Sequence, residues 1–180
     1  MGRTLWGYGM TVVVLDGVFT ELQMEQFTKH INRSTDNFVS GVLDKPGEGW
    51  HEVDSEHSNT FMCNEICRRA GKYFDTSRMI GYDYWTHTNT RPMQFHYDKD
   101  ENAYLKAGVT RFPICSTVFY LEIDNLVGGK LLMKNDVEIT PKKNRLVIFS
   151  PGIYHGVEQF TGTRTSVNIN PWKTNLYAKM

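Results

Sequence analysis

An α+β fold is what this sequence predicts. After an opening strand come two amphipathic helical patterns, six short β-rich stretches separated by Gly, Pro, Asn and Asp follow them, and no repeat period or low-complexity tract interrupts. Six or more strands suit a barrel or sandwich with the helices packed on one outer face. At 180 residues, 40% hydrophobic and 13% aromatic, the chain is long enough for one continuous core and short for two. The reading is therefore a single domain over 1–180, with helical support over about 16–75 and a strand core over about 78–172.

The first element is a strand in "MTVVVLDGV". Thr20 and Gln23 then fit a capping box, with Phe19 and Met24 placed as a hydrophobic staple, and Met24, Phe27 and Ile31 recur at helical spacing. From Ser34 to Asn59 no periodicity is sustained, which reads as a long loop near a substrate entrance. A second helix covers about Asn59 to Phe74, because Cys63, Ile66, Cys67, Ala70 and Phe74 share one stripe. The β-rich stretches are "RMIGYDYWTH", "PMQFHYD", "ICSTVFYLEI", "GGKLLMKN", "RLVIFSP" and "TRTSVNINPW".

Composition narrows the function. Twenty basic residues balance twenty acidic ones, so no global field holds the chain on nucleic acid or an anionic membrane. Three cysteines, two of them four apart on a helical stripe, read as buried free thiols and favour a reducing compartment. The opening "MGRTLWGYGMTVVVLDGVF" lacks a signal peptide's apolar run and the roughly 20 apolar residues of a membrane helix. Trp6 stands where a myristoylation signal has Ser or Thr. A soluble, cytoplasmic protein is expected, and nothing in the sequence sets its oligomeric state.

The chemistry concentrates in "QFHYDKD". Residues two apart on a strand share a face, so His96 and Asp98 project together while Tyr97 points away. Two His and one carboxylate on one face of an octahedron leave three open positions, the arrangement of non-haem Fe(II) oxygenases. His155, 59 positions on, is the candidate third ligand. H-x-D alone is a frequent chance pattern. Nine residues after His155, Arg164 begins an alternation in which Arg164, Ser166, Asn168 and Asn170 share one strand face. A buried polar face is costly unless something satisfies it, and an Arg fork at the base of a pocket matches a carboxylate, with Ser166 adding a third hydrogen bond.

From Gly81 to Trp172 the sequence resembles the 2-oxoglutarate and Fe(II)-dependent dioxygenases, specifically their prolyl 4-hydroxylase-like branch. The matching run is "FHYD", "VFYLEI", "VGGKLLM", "ITPKKNRLVIFSP" and "YHGVEQFTGTRTSVNINPW", in the family's order and approximate spacing. The resemblance implies a double-stranded β-helix, or jelly roll, with N-terminal helices packed on its major sheet. It implies Fe(II), 2-oxoglutarate and O2, with His96, Asp98 and His155 as iron ligands and catalytic centre. Arg164 and Ser166 are implied partners of the distal carboxylate of 2-oxoglutarate. Tyr120 matches the aromatic hydroxyl that reaches the same group. Of the upstream tyrosines Tyr82 and Tyr84, Tyr84 is preferred as a further cosubstrate contact, and Asn168 is a candidate beside it.

The implied reaction is decarboxylation of 2-oxoglutarate to succinate and CO2 coupled to hydroxylation of a substrate C–H. A carboxylate at Asp98 points to hydroxylation, or to demethylation that starts with it, because related halogenases leave that position open. The branch acts on peptidyl proline, free amino acids and other small molecules, so the expected partner is a peptide or small-molecule substrate and not nucleic acid. "KDENAYLKAGVTRFP" is longer than in the smallest relatives and is expected on the substrate side. The rival is a cupin-like metal-dependent isomerase or small-molecule binding module on the same scaffold; Arg164 favours the oxygenase. His30, His51, His57 and His87 have ordinary positions and receive no chemistry.

Overall fold

Helix α1 (Glu21–His30) begins at the expected capping box: the Gln23 backbone N–H donates to Thr20 Oγ1 at 3.3 Å and the Thr20 N–H to Gln23 Oε1 at 2.9 Å. The staple pair Phe19 and Met24 is buried in one cluster with Phe27 and Ile31. Asn144, in the left-handed region at φ 62°, ties the start of this helix to the strands. Its Oδ1 accepts from Phe19 N at 3.0 Å and its Nδ2 donates to Phe19 O at 2.7 Å. Helix α2 (Thr60–Ala70) buries Cys63, Ile66, Cys67 and Ala70 as its stripe predicts. It stops earlier than Phe74, since Gly71 favours the turn that follows. Phe74 keeps its place against the core through a bond from its N–H to Ala70 O at 3.0 Å.

The computed structural model describes residues 3–7, 10–31, 49–53, 59–89, 92–134 and 136–176. Its strands form two antiparallel sheets. The larger contains, in spatial order, β1 (Arg3–Gly7), β2 (Met10–Asp16), β9 (Arg145–Phe149), β6 (Ser116–Gly128), β11 (Phe160–Trp172), β4 (Gly81–Asn89) and β3 (Gly49–Glu52). The smaller contains β5 (Met93–His96), β10 (His155–Val157), β7 (Leu131–Met133) and β8 (Glu138–Ile139).

Alternation along the strands divides the interior into two layers. Val13, Phe119, Leu121, Leu146, Ile148, Val167 and Ile169 face the helices and join their apolar stripes. Val12, Val118, Tyr120, Val147 and Phe149 point the other way and meet Leu131, Met133 and Ile139 of the smaller sheet. Helices on one face and a second sheet on the other match the α+β expectation.

Elements that the sequence does not announce include β1, β3, the two-residue β8 and a third helix, α3 (Glu101–Ala107). Within the span 34–59, expected as a loop, Gly49–Glu52 is a strand paired with β4, while 34–48 and 54–58 lie outside the described residues. Helix α3 occupies the stretch after Asp98. Asp100 caps it through Oδ1, which accepts from Ala103 N at 2.9 Å, and Gly108 ends it in the left-handed conformation.

Candidate metal and cosubstrate site

Strand pairing brings the two candidate histidines side by side, because His155 of β10 is in register with His96 of β5. Their ring centroids are 4.4 Å apart, and Phe149 stands edge-on to His155 at 4.9 Å. Gly156 allows the approach, since a Cβ there would sit 2.9 Å from Met93 O. Asp98 Oδ1 is 3.7 Å from Nε2 of each histidine, and donor atoms of all three residues lie within 4.8 Å of one another.

Hydrogen bonds on the far side of each ring fix which nitrogen faces inward. Nδ1 of His96 lies 2.9 Å from Gln94 O, and Nδ1 of His155 lies 2.9 Å from Ile153 O. A carbonyl only accepts, so each Nδ1 carries a proton and each Nε2 is the nitrogen that faces Asp98. Burial pushes His155 below its ordinary pKa, partly offset by Asp98, so that ring is neutral and ready to ligate. Asp98 is buried, and its Oδ2 has no hydrogen-bond partner. Two imidazoles and a buried carboxylate with an unsatisfied oxygen suit Fe(II) as a donor set. The side-chain exposure of His96, 36% against 3–4% for its two partners, puts the opening on its side.

On β11, Arg164 is 2% exposed and points into the space between the sheets. One terminal nitrogen donates to Gly129 O at 3.3 Å and the other to Ser166 Oγ at 3.2 Å, while Nε is unpartnered. Gly129 offers that carbonyl because Gly128 and Gly129 both take positive φ in the β6–β7 turn, where a Cβ on Gly128 would lie 2.5 Å from Gln159 O. The guanidinium carbon is 5.3 Å from the centroid of the Tyr120 ring. Among the described residues no carboxylate pairs with Arg164, and Tyr120 Oη is buried without a partner. Burial raises the Tyr120 pKa, so the phenol keeps its proton as a donor. Unpaired donors around one buried cation suit a carboxylate ligand.

Tyr84 does not join this group. It is in register with Ile169, one face away from Arg164, Ser166 and Asn168, and its hydroxyl accepts from Asn59 Nδ2 at 3.0 Å within the helix-side core. Tyr82 lies in the same layer. The pocket face of β4 carries instead Asp83, Trp85 and His87, in register with Asn170, Asn168 and Ser166. Trp85 Nε1 donates to His87 Nε2 at 2.8 Å. The sequence gives these three no role in the site, because both faces of "GYDYWTH" carry aromatic and polar residues, which leaves the phase of the alternation open. Asn168 does face the pocket, with its Oδ1 unpartnered.

Comparison with known proteins agrees with this geometry. The model of the 2OG-Fe(II) oxygenase superfamily matches residues 82–172, just over half of the chain. No curated protein matches by sequence. Similar solved structures include a 2OG-Fe(II) oxygenase family oxidoreductase from Burkholderia pseudomallei, with TM-score 0.63 and 17% identity over 91% of this chain and 85% of that one. A viral collagen prolyl hydroxylase from Paramecium Bursaria Chlorella virus-1 gives 0.55 and 12% over 89% and 94%. A Pseudomonas putida prolyl-4-hydroxylase gives 0.56 and 16% over 91% and 88%. At these identities the structural likeness speaks for the fold, and the family model for the chemistry. With its Fe(II), 2-oxoglutarate and O2 chemistry, this chain belongs to the 2-oxoglutarate and Fe(II)-dependent oxygenase superfamily.

Proposed function

We propose that this dioxygenase hydroxylates a C–H bond of a peptidyl substrate, prolyl among the candidates, or of a free amino acid, releasing succinate and CO2. The observation that carries this reading is the buried Arg164, unpaired by any described carboxylate, in the same interior as the His96, Asp98 and His155 cluster. The two sheets serve as the family's jelly roll. His96 and His155 hold the metal through Nε2, and Asp98 holds it through a carboxylate oxygen. Arg164 and Tyr120 receive the distal carboxylate of the cosubstrate, and Ser166 keeps the guanidinium aimed. Bound Fe(II) with 2-oxoglutarate and O2 supplies the oxidation, one oxygen atom going to the substrate and one to succinate. The apolar floor of Val118, Val147, Phe149 and Leu131 keeps water away from it.

No helix of the described residues is long and apolar enough to cross a membrane. The three cysteines are buried free thiols, which supports a reducing, cytoplasmic setting. The deciding experiment supplies Fe(II), 2-oxoglutarate, O2 and a panel of peptides and amino acids, then measures succinate and the gain of one oxygen atom in each candidate. Succinate with an oxygenated amino acid or peptide supports the reading. Succinate that accompanies oxidation of another substrate class only removes the amino-acid assignment.

A further inference from the structure

The mechanism above leaves one group of the pocket unused. Asp83 sits on the interior face of β4, in register with Trp50 of β3 on one side and Asn170 of β11 on the other. Its Oδ1 is buried without a hydrogen-bond partner. So are Trp50 Nε1, Asn168 Oδ1 and Asn170 Nδ2, although Asn168 is 7% and Asn170 0% exposed. The orientation of Asn170 is fixed, because its Oδ1 accepts from Thr117 N at 2.8 Å. The Trp50 indole lies against Gly81, where a Cβ would come within 2.5 Å of its ring, so the glycine makes room for it.

Position and charge separate this patch from the cosubstrate receptor. Asn170 is six residues from Arg164 along β11, about 20 Å of extended strand. The patch therefore lies away from the Arg164 end and within electrostatic reach of Asp98. The charges of Fe(II), Asp98, dianionic 2-oxoglutarate and Arg164 cancel. Asp83 is left as an uncompensated acid, and among the described residues no Lys or Arg pairs with it. Burial pushes its carboxyl up to about 8, with Asp98 adding to the effect, while the nearby Trp172 indole N–H and the backbone N–H groups of Asp83 and Asn170 oppose it without any of them completing a hydrogen bond to Oδ1. A buried carboxyl beside an indole and unpartnered amides is completed by a cation that brings its own N–H donors.

Resting on the oxygenase reading, we propose that Asp83, framed by Trp50, Asn168 and Asn170, is the substrate-recognition acid of this pocket and takes a protonated amine of the substrate. The amine comes from the α-position of a free amino acid or from a side chain, and the chemistry at Asp83 is the same.

The test uses the Fe(II) and 2-oxoglutarate complex held anaerobic, so that binding is read from the shift of its visible charge-transfer band and not from turnover. The probes are L-proline with N-acetyl-L-proline, and L-lysine with its Nα-acetyl, Nε-acetyl and doubly acetylated forms. At least one cationic probe is expected to bind about 30-fold or more tighter than its fully acetylated counterpart, the least that breaking a buried charge pair costs. The two singly acetylated lysines tell an α-amine from a side-chain amine. The preference should vanish in Asp83→Asn and persist in part in Asp83→Glu. Equal binding of cationic and acetylated probes, no binding by any cationic probe, or a preference intact in Asp83→Asn would each overturn the assignment. So would loss of the band itself in Asp83→Asn, which would make Asp83 a support of the metal centre. Absence of the band in the wild type would instead count against the oxygenase reading.

Discussion

Replacing Arg164 by Ala removes a guanidinium whose terminal nitrogens, among the described residues, hydrogen-bond to Gly129 O and Ser166 Oγ at 3.3 and 3.2 Å, both at the long end of hydrogen bonding. Such loose contacts are given up readily to a carboxylate that accepts two charge-assisted bonds. At about 1.5–3 kcal/mol for each bond to a charged group, losing the pair weakens cosubstrate binding by about 3 kcal/mol, or about 150-fold in Kd. Arg164→Lys should recover only part of this, because an ammonium keeps the charge and loses the fork. Calorimetric titration of 2-oxoglutarate into Mn(II)-loaded protein measures the change with no turnover. Metal binding should be preserved, since neither contact of Arg164 is to a metal ligand. A folded Arg164→Ala protein that binds 2-oxoglutarate as tightly as wild type would refute the receptor assignment.

Two tyrosine variants separate the faces of the large sheet. Tyr120→Phe should weaken 2-oxoglutarate binding by about 1 kcal/mol, the worth of an ordinary hydrogen bond, whereas Tyr84→Phe should leave it unchanged and lower stability by loss of the Asn59 bond; the same calorimetry with thermal melts reads both. Asp83 gives a pH signature. Its folded pKa of about 8 lies above that of an exposed carboxylate, so the folded chain holds a proton the unfolded one has released. Stability of the ligand-free protein should therefore fall as pH rises from about 4 to about 8, and urea midpoints across that window should show a flatter slope in Asp83→Asn. Asp16 has the opposite sign: the Arg145 fork, at 2.7 and 2.9 Å, holds it down to about 2. Its contribution is present above the ordinary carboxylate range and lost as pH falls through about 2. With the side chain about one-third exposed, Asp16→Asn should cost about 1 kcal/mol at neutral pH, measurable by denaturant titration.

The elements that announced themselves did so through local chemistry. The Thr20 and Gln23 box, the α2 stripe and the β-branched runs of β2, β6 and β9 each carry their own signal. Helix α3 had caps at Asp100 and Gly108, but seven residues give too little periodicity to declare a helix. The strand β3 owes its existence to pairing with β4, and pairing partners are not written in four residues. The misplaced Tyr84 has the same origin. Alternation says that Tyr82 and Tyr84 share a face and that Asp83, Trp85 and His87 share the other. Only the register of β4 against β11 says which face meets Arg164. Motif order singles out His96, Asp98, His155 and Arg164, and the pairing of His155 with His96 supplies the proximity that spacing alone could not.

If His96, Asp98 and His155 hold Fe(II) and Arg164 seats 2-oxoglutarate, the cosubstrate chelates the iron. Anaerobic titration of the purified protein with Fe(II) and then 2-oxoglutarate tests it directly. The account predicts a weak visible charge-transfer band that saturates with cosubstrate in the wild type, requires more cosubstrate in Arg164→Ala, and fails to form in Asp98→Ala. Iron demonstrably bound with no band at saturating 2-oxoglutarate would contradict it and return the chain to the class of metal-binding modules on the same scaffold.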